Sequence, residues 1–334
     1  MPKGLLASLF ALAALAARTA AAAPPAEQLL ADAGFSPAEI AQVENGGFVT
    51  KAIEPSSPRE LTAGFAFVVA APPEAIVRQV RTGLVDHVDP NTVAFAMLPA
   101  NPGLADFAKL TLAPDPAKQA AAYVAAKPGG ALNLSSDEIA AFDALGSGAA
   151  VPAVEQAVRQ ALLARVQAYQ AKGLAGIAPY ALSGGEQRSP GDELRAASQA
   201  AKLLEKYLPA AYRMLVAYPE SRPPGTQETF RWTRLVANGV PTVALTHGLT
   251  IPDGDAWVAV QRQFYVSTSY NAEQAIAALL PVPQGTIVFY VNRTSTDQVT
   301  GFGGSAKRSI GSKLLASELQ ALYRKVGKTA SEKK

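Results

Sequence analysis

Residues 240–268, with the sequence VPTVALTHGLTIPDGDAWVAVQRQFYVST, decide the fold of this chain. Two runs rich in β-branched and aromatic residues, 240–251 and 256–268, flank the turn sequence Pro-Asp-Gly-Asp. Runs of this composition that are joined by a glycine-containing turn are typical of a β-hairpin. Similar patterns lie on both sides of this pair: strands at 226–236 and 286–293, and the turn dipeptide Asn238-Gly239. We therefore predict an antiparallel meander over residues 226–293.

The N-terminal part of the chain adds a strand that leads into a helix. Within residues 61–70, alternate apolar side chains share one face: Leu61, Ala63, Phe65, Phe67 and Val69. Residues 72–81 follow with helical spacing, and shorter strands are predicted at 48–53 and 92–98.

The chain between residues 100 and 220 has a mostly helical pattern. Val151–Lys172 gives the clearest signal, because its apolar residues recur at every third or fourth position. Ser135 and Glu138 have the spacing of a capping box at the start of another helix. A long helix over residues 305–325 closes the pattern.

Together these elements predict one α+β domain over residues 23–330. We expect a curved antiparallel sheet of about five to seven strands that grips the long C-terminal helix. The helical segment, about 100–220, is expected to be a large insert packed beside the sheet. Residues 327–334 are rich in lysine and predict a flexible tail.

The first 22 residues have the three parts of a secretory signal peptide. Lys3 gives a positive start, residues 5–17 are apolar, and alanines occupy 20–23. We expect cleavage after about Ala22, because Pro24 disfavours a later cut. The apolar run is too short to span a bilayer, and no run of eighteen apolar residues follows. These features predict a periplasmic or secreted protein without an integral membrane span.

The composition excludes several classes of protein. The chain has 334 residues, of which 49% are hydrophobic, so it is not intrinsically disordered. It has no cysteine and two histidines, which argues against a disulfide scaffold and against a thiolate or three-histidine zinc site. Removal of Lys3 and Arg18 with the signal leaves 28 basic residues against 27 acidic ones, so no nucleic-acid partner is expected. We expect no metal and no cofactor.

Three polar side chains are predicted to point inward from successive strands of the meander. By strand parity His247, Arg262 and Arg293 share faces with apolar residues. A buried guanidinium needs a partner, because its unpaired desolvation costs several kcal/mol. That partner is expected to be Glu228, Glu273 or Asp297, or the anionic head of a ligand. The three side chains therefore form either core pairs or the polar end of a ligand pocket, and Asp297 is a candidate binding residue in the second case.

Other residues could add to such a site. Trp232 and Tyr265 either pack against the sheet or line the mouth of a pocket. The glycine loop 301–309 enters the C-terminal helix and could bind an anion through its free amides: Gly303, Gly304, Ser305, Lys307 and Arg308. Its simpler interpretation is a tight turn capped by Ser305. His247 could instead act as a general base in a hydrolase, but no Gly-x-Ser-x-Gly sequence accompanies it.

The chain resembles two groups of proteins. The junction Phe67-Val-Val-Ala-Ala-Pro-Pro-Glu-Ala-Ile76 and the order of elements resemble START and polyketide-cyclase-like proteins. That resemblance implies a helix-grip fold, in which the sheet holds the C-terminal helix around an apolar cavity. Over nearly its whole mature length the chain also resembles a family of uncharacterised secreted bacterial proteins. The segments that carry this second resemblance include 104–115, Phe230-Arg-Trp232, Pro241–His247, Gln263-Phe-Tyr265 and Gly303–Ile310.

The second resemblance implies secretion and a shared fold, and it implies no reaction. Members of that family often carry two cysteines around an Arg-Pro-Gly-Asp sequence. Here residues 126–131 read Ala-Lys-Pro-Gly-Gly-Ala, so the disulfide that relatives could form there is absent.

The sequence therefore favours a periplasmic or secreted binding protein for an apolar or amphipathic small molecule, with a lipid-like anionic head as one option. Two alternatives stay open. One is a structural or interaction protein of the cell envelope, with a filled core and a protein partner. The other is an enzyme that uses His247 as a base.

Overall fold

The structure of the protein is a computed structural model that describes residues 26–237, 239–301 and 303–332. The predicted signal peptide over residues 1–22 lies outside the described residues. So do Asn238 of the predicted turn and the last two residues of the predicted tail.

Strands and helices alternate in the first third of the chain, helices dominate the middle, and strands dominate the last part. The helices are α1 (Ala26–Asp32), α2 (Pro37–Glu44), α3 (Pro73–Arg81), α4 (Leu84–Val88), α5 (Pro116–Val124), α6 (Ser136–Asp143), α7 (Val151–Lys172), α8 (Pro190–Gln199), α9 (Lys202–Tyr207), α10 (Pro209–Ala217) and α11 (Gly304–Glu332). The strands are β1 (Val49–Lys51), β2 (Glu60–Val69), β3 (Thr92–Leu98), β4 (Tyr180–Ala181), β5 (Gln187–Arg188), β6 (Gln227–Ala237), β7 (Val240–Asp253), β8 (Ala256–Val266), β9 (Ala272–Val282) and β10 (Gly285–Ser295). Short 3-10 turns occur at Leu104–Phe107, Gly173–Gly176, Ser183–Gly185 and Asp297–Val299.

The main sheet has eight strands in the order β1-β2-β10-β9-β8-β7-β6-β3. Every neighbouring pair in it is antiparallel. The α+β prediction is confirmed, with a long C-terminal helix and a helical insert between β3 and β6. The sheet has one strand more than the upper end of that prediction, because β9 joins the seven strands that the sequence predicts.

Strand β9 is a strand that the sequence did not reveal. Its residues, AEQAIAALLPV, are mostly alanine, leucine, glutamate and glutamine, which favour a helix. In the sheet it lies between β8 and β10, so both of its edges are hydrogen-bonded. Pairing on both sides outweighs its intrinsic preference, as strand propensity depends strongly on context.

One face of the sheet, which we call the insert face, is covered by α1, α2 and the helices of the insert. Its largest buried side chains include Trp232, Phe264 and Phe289 from the strands and Tyr169 and Leu162 from α7. These side chains belong to a single apolar cluster, so this face of the sheet is packed solid against helices.

The opposite face, which we call the α11 face, is covered by α3, α4 and α11. Phe65, Phe67 and Val69 of β2 pack there with Val326 and Ala330 of α11. These contacts correct the predicted tail, since α11 continues to Glu332 instead of ending near residue 325. Burial of Val326 and Ala330, at 6% and 1% exposure, stabilises the added turns.

A bulge in β8 changes the parity of one strand end. Leu245 pairs with Tyr265 while Thr246 pairs with Gln263, so Phe264 is the extra residue. Arg262 keeps its place opposite His247. Arg262 also pairs with Gln274, which pairs in turn with Arg293, so the predicted common face of the three polar side chains is confirmed. Val266 is predicted to share that face with Arg262, but it lies beyond the bulge, pairs with Ala244 and lies on the other face.

Candidate functional site

Arg262 lies at the centre of the insert face and has no solvent exposure. Its guanidinium donates to Gln274 Oε1 at 2.9 Å, to Tyr169 Oη at 3.2 Å, and to two groups of the insert helices. Those two are Ser198 Oγ at 3.1 Å and the Leu215 carbonyl at 2.9 Å. Within the described residues none of these bonds goes to a carboxylate, so the predicted carboxylate partner is wrong. Neutral oxygens from α7, α8, α10 and β9 replace it.

His247 continues this polar chain toward the surface. Because Arg262 donates to Tyr169 Oη, the hydroxyl hydrogen is directed at His247 Nδ1, 2.9 Å away. His247 Nε2 then donates to Glu228 Oε2 at 3.1 Å, which assigns the neutral Nε2–H tautomer. Burial lowers the pKa of His247 to about 4. Both ring nitrogens are engaged and the ring is inaccessible, so this position does not offer a general base to a substrate.

The depressed pKa of His247 predicts a loss of stability in acid. Between pH 6.5 and 4 the unfolded chain binds a proton that the folded imidazole does not, so the free energy of unfolding falls as the pH falls. From pH 7.5 to pH 5 this group should cost about 2 kcal/mol. Urea unfolding at both pH values should show a correspondingly smaller acid loss in His247→Gln than in the wild type. The matched control is His87→Gln, which removes an exposed imidazole. A larger effect from the control would contradict the assignment.

Arg293 and Asp297, predicted to share a site, point to different partners. Arg293 Nη1 donates to Glu60 Oε2 at 2.6 Å, and both side chains are buried. Asp297 Oδ1 pairs with Arg59 at 3.0 Å and with Arg188 at 2.9 Å. Arg293 therefore forms a core pair with a carboxylate from the neighbouring strand, and Asp297 is a half-exposed link between β2, the insert and β10.

Trp232 and Tyr265 also belong to the packed insert face. Trp232 is 1% exposed, and its indole nitrogen donates to the Asp106 carbonyl at 3.3 Å. Tyr265 is 3% exposed and lies under the guanidinium of Arg165, 4.2 Å from the ring centre. Arg165 in turn forms a two-bond pair with Glu138, at 2.7 and 2.5 Å. Of the two interpretations offered by the sequence, packing against the sheet describes both aromatic residues, and neither lines a pocket mouth.

The predicted glycine loop forms the start of α11. Gly303 has φ +73°, and Gly304 is buried as the first residue of the helix. Arg308 Nη1 donates to the Pro58 carbonyl at 3.0 Å, which anchors the helix to the segment before β2. Ser305 and Lys307 are exposed at the same end of the helix.

A large opening in the described part of the chain lies on the α11 face, between the sheet and α11. We call it the groove; its volume is about 900 Å³. Its floor is formed by side chains of β6, β8, β9 and β10, and α11 forms one wall. The floor includes Arg231, Gln263 and Glu273, and the wall includes Leu314, Leu319 and Tyr323.

Glu273 is the central ionisable group of the floor. Thr294 Oγ1 lies 3.3 Å from Glu273 Oε2 and 2.8 Å from Asn292 Oδ1. Burial, with a smaller contribution from the negative charge of Asp89, raises the pKa of Glu273 to about 7, while the hydrogen bonds from Thr294 and Asn292 and the positive charge of Arg231 act to lower it. This carboxyl therefore changes its charge near neutral pH, at the surface that a bound molecule would touch.

The other polar groups of the floor are already engaged. Arg231 Nε lies 3.0 Å from the carboxylate of Asp86, and its Nη2 donates to Gln261 at 3.0 Å. Tyr270 Oη donates to Gln263 Oε1 at 2.6 Å. The basic group of the floor is thus neutralised locally, and Glu273 has no cation as a hydrogen-bond partner in the described structure.

Part of the mouth of the groove is apolar. Ile310 and Leu314 of α11 are 62% and 61% exposed, and Val236 of β6 is 37% exposed. They line the groove together, so apolar surface on α11 faces the opening instead of a protein core. A smaller apolar cavity of about 50 Å³ adjoins the groove and shares Tyr290 and Tyr323 with it.

The residue pattern alone does not identify the groove; only the helix-grip resemblance implies a cavity between the sheet and the C-terminal helix. The sequence offers Glu273 only as a possible partner of an arginine, and it gives Gln263 and Leu314 no role in a site. An alternation of polar residues on a strand predicts a solvent-facing side, and it does not indicate that these side chains line a ligand site. Among residues 26–237, 239–301 and 303–332, no helix has both the length and the apolar character needed to cross a bilayer.

Comparisons with known proteins add no relative. No family model, no curated protein and no solved structure matches this chain.

Proposed function

We propose that the protein binds an amphipathic small molecule in the groove, and that it does so in the periplasm or outside the cell. The observation that carries this proposal is the opening of about 900 Å³ between the sheet and α11. Ligand sites in proteins usually have volumes of about 300–1,000 Å³. The apolar wall from α11 and the polar floor from the sheet provide separate surfaces for the two ends of such a molecule.

The proposed site lies on the α11 face, whereas the inward-pointing residues predicted from the sequence lie on the insert face. His247, Arg262 and Arg293 stabilise the packed core, so a ligand has no access to them. The resemblance to helix-grip proteins supports the new position, because that fold holds a ligand between the sheet and the C-terminal helix. The predicted signal peptide supports the proposed compartment.

The two alternatives have weaker support. A structural protein without a ligand needs no opening of this size, and the groove is about three times the lower limit for ligand sites. An enzyme that uses His247 as its base needs an accessible imidazole, whereas this ring is fully buried.

An uncharged fluorescent apolar probe, N-phenyl-1-naphthylamine, tests the proposal. We expect its emission to rise on binding to the purified mature protein, and Leu314→Asp to weaken the binding about tenfold. A leucine that a ligand covers is worth about 1.5–3 kcal/mol, and a charge at this place resists desolvation. The side chain is 61% exposed, so its replacement should leave the fold intact.

The matched control is Leu145→Asp, at another exposed leucine, which lies on the surface after α6. It should leave the affinity for the probe unchanged. Native mass spectrometry of the protein from its own host should also show an added mass that leaves on denaturation. Equal loss of binding in both variants, or no binding by the wild type and no added mass, would overturn the proposal.

A further inference from the structure

We infer that the polar end of the ligand is a protonated amine that is held by Glu273. This inference rests on the proposed function and specifies its ligand class. It follows from the distribution of charge in the groove, which differs between the floor and the rim.

The floor has more acidic than basic groups. Asp86, Asp89 and Glu273 contribute three carboxyl groups, and Arg231 contributes one guanidinium. Arg231 is committed to Asp86 and Gln261, each at 3.0 Å, so it has little to offer a second anion. Glu273 and Asp89 form no ion pair within the described floor, and Arg231 is the one cationic side chain among these floor groups, so negative charge is in excess there.

The basic groups of the α11 wall lie at the rim. Lys307 and Lys325 line the groove, but both are exposed to solvent. An ion pair that a ligand makes with an exposed lysine is screened by solvent and contributes little to the affinity. An anionic head would therefore gain little at the rim and would meet repulsion from Glu273 and Asp89 at the floor.

A cationic head group would be attracted by the carboxylates of the floor instead of being repelled by them. An alkylammonium group donates three hydrogens, as a lysine side chain does, and Glu273 provides carboxylate oxygens in a partly desolvated place. A hydrogen bond between two charged groups is stronger than one from a neutral donor. The apolar chain of the same molecule can lie along Leu314 and Leu319 of α11.

The first experiment compares head groups on one chain length. Decylamine, decan-1-ol and decanoate compete with the fluorescent probe at pH 8, where Glu273 is mostly ionised and decylamine keeps its charge. We expect decylamine to compete about tenfold better than decan-1-ol, and decanoate to compete worst. Decanoate binding as tightly as decylamine would overturn the inference while leaving the proposed groove in place.

The second experiment tests the residue. Glu273→Gln should lower the affinity for decylamine about tenfold and leave the affinity for decan-1-ol nearly unchanged, because the amide keeps the size of the carboxyl group and loses its charge. Glu27→Gln is the matched control, because Glu27 is an exposed carboxylate on α1, which covers the insert face. This control should leave the affinities for decylamine and decan-1-ol unchanged. An amine preference that survives in Glu273→Gln would overturn the assignment.

A second variant, which removes a different carboxylate, tests the inference even if Glu273→Gln fails to fold. Asp89→Asn, on the half-buried segment after α4, should lower the preference for decylamine about threefold through the loss of a nearby charge. If the probe itself fails to bind the wild type, the proposed function fails as well. Probe binding without an amine preference removes only the inference about the head group.

Discussion

Replacing Arg262 by alanine should lower the free energy of unfolding by about 4 kcal/mol. The side chain is fully buried, and its removal takes a donor from Tyr169 Oη and from the Leu215 carbonyl and leaves Gln274 Oε1 with Ser198 as its donor. Each buried polar group that loses its partner costs about 1–3 kcal/mol, and the vacated volume adds to this. Relief of the buried positive charge offsets part of the cost. Urea unfolding followed by circular dichroism at pH 7.5 measures the difference.

Two further variants distinguish the contribution of the hydrogen-bond network of Arg262 to stability from the contribution of its positive charge. Arg262→Lys keeps the charge but loses the planar fork, so it should fall between alanine and the wild type. Arg222→Ala removes an arginine whose side chain is 60% exposed, and it should cost less than about 1 kcal/mol. If Arg262→Ala were no more harmful than Arg222→Ala, the buried network would not stabilise the insert against the sheet.

The second large effect is expected at Phe65, on the opposite face. Phe65→Ala should cost about 3–5 kcal/mol, the usual range for a buried aromatic residue. The ring is fully buried and lies 4.6 Å from Tyr290 and 5.4 Å from Tyr323, measured between ring centres. Because Tyr323 belongs to α11, the same variant should loosen the wall of the groove and weaken probe binding. Unfolding curves and the probe titration measure the two effects.

The matched control for Phe65 is Phe95→Ala. Phe95 is a half-buried phenylalanine of the edge strand β3, where it packs edge-on against His87. It should cost roughly 1–2 kcal/mol, because less apolar surface is lost. Equal costs at the two positions, with unchanged probe binding in both, would show that the aromatic cluster does not support α11.

The sequence predicted well those elements whose signals are local. Helix α7 begins and ends where the spacing of its apolar residues predicts. The capping box of Ser135 and Glu138 is present in full. Strands β7 and β8 and their turn follow from composition and from Gly254, which has φ +64°. In each case the deciding interactions are made within the segment or with its nearest neighbour along the chain.

The site could not be predicted in the same way. Parity correctly placed His247, Arg262 and Arg293 on one face, but it gave no information on what covers that face. Both faces of this sheet carry helices, and the more apolar one is filled by the insert. The groove lies on the more polar face, where Gln263 and Glu273 have the pattern expected of residues in water.

The position of Glu273 could not be predicted from the local sequence. It lies on β9, whose alanine- and leucine-rich sequence favours a helix. Only pairing with β8 and β10 makes this segment a strand, and no local pattern records that pairing.

The ladder between β2 and β10 joins Glu60–Val69 with Gly285–Ser295, at the two ends of the folded chain. Contacts between such distant segments close a large loop, and domains that depend on them fold slowly. During synthesis from the N-terminus, β2 has its β10 neighbour only when nearly the whole chain has emerged. We therefore expect the floor and the wall of the groove to form late, after the insert has had time to build its own helices.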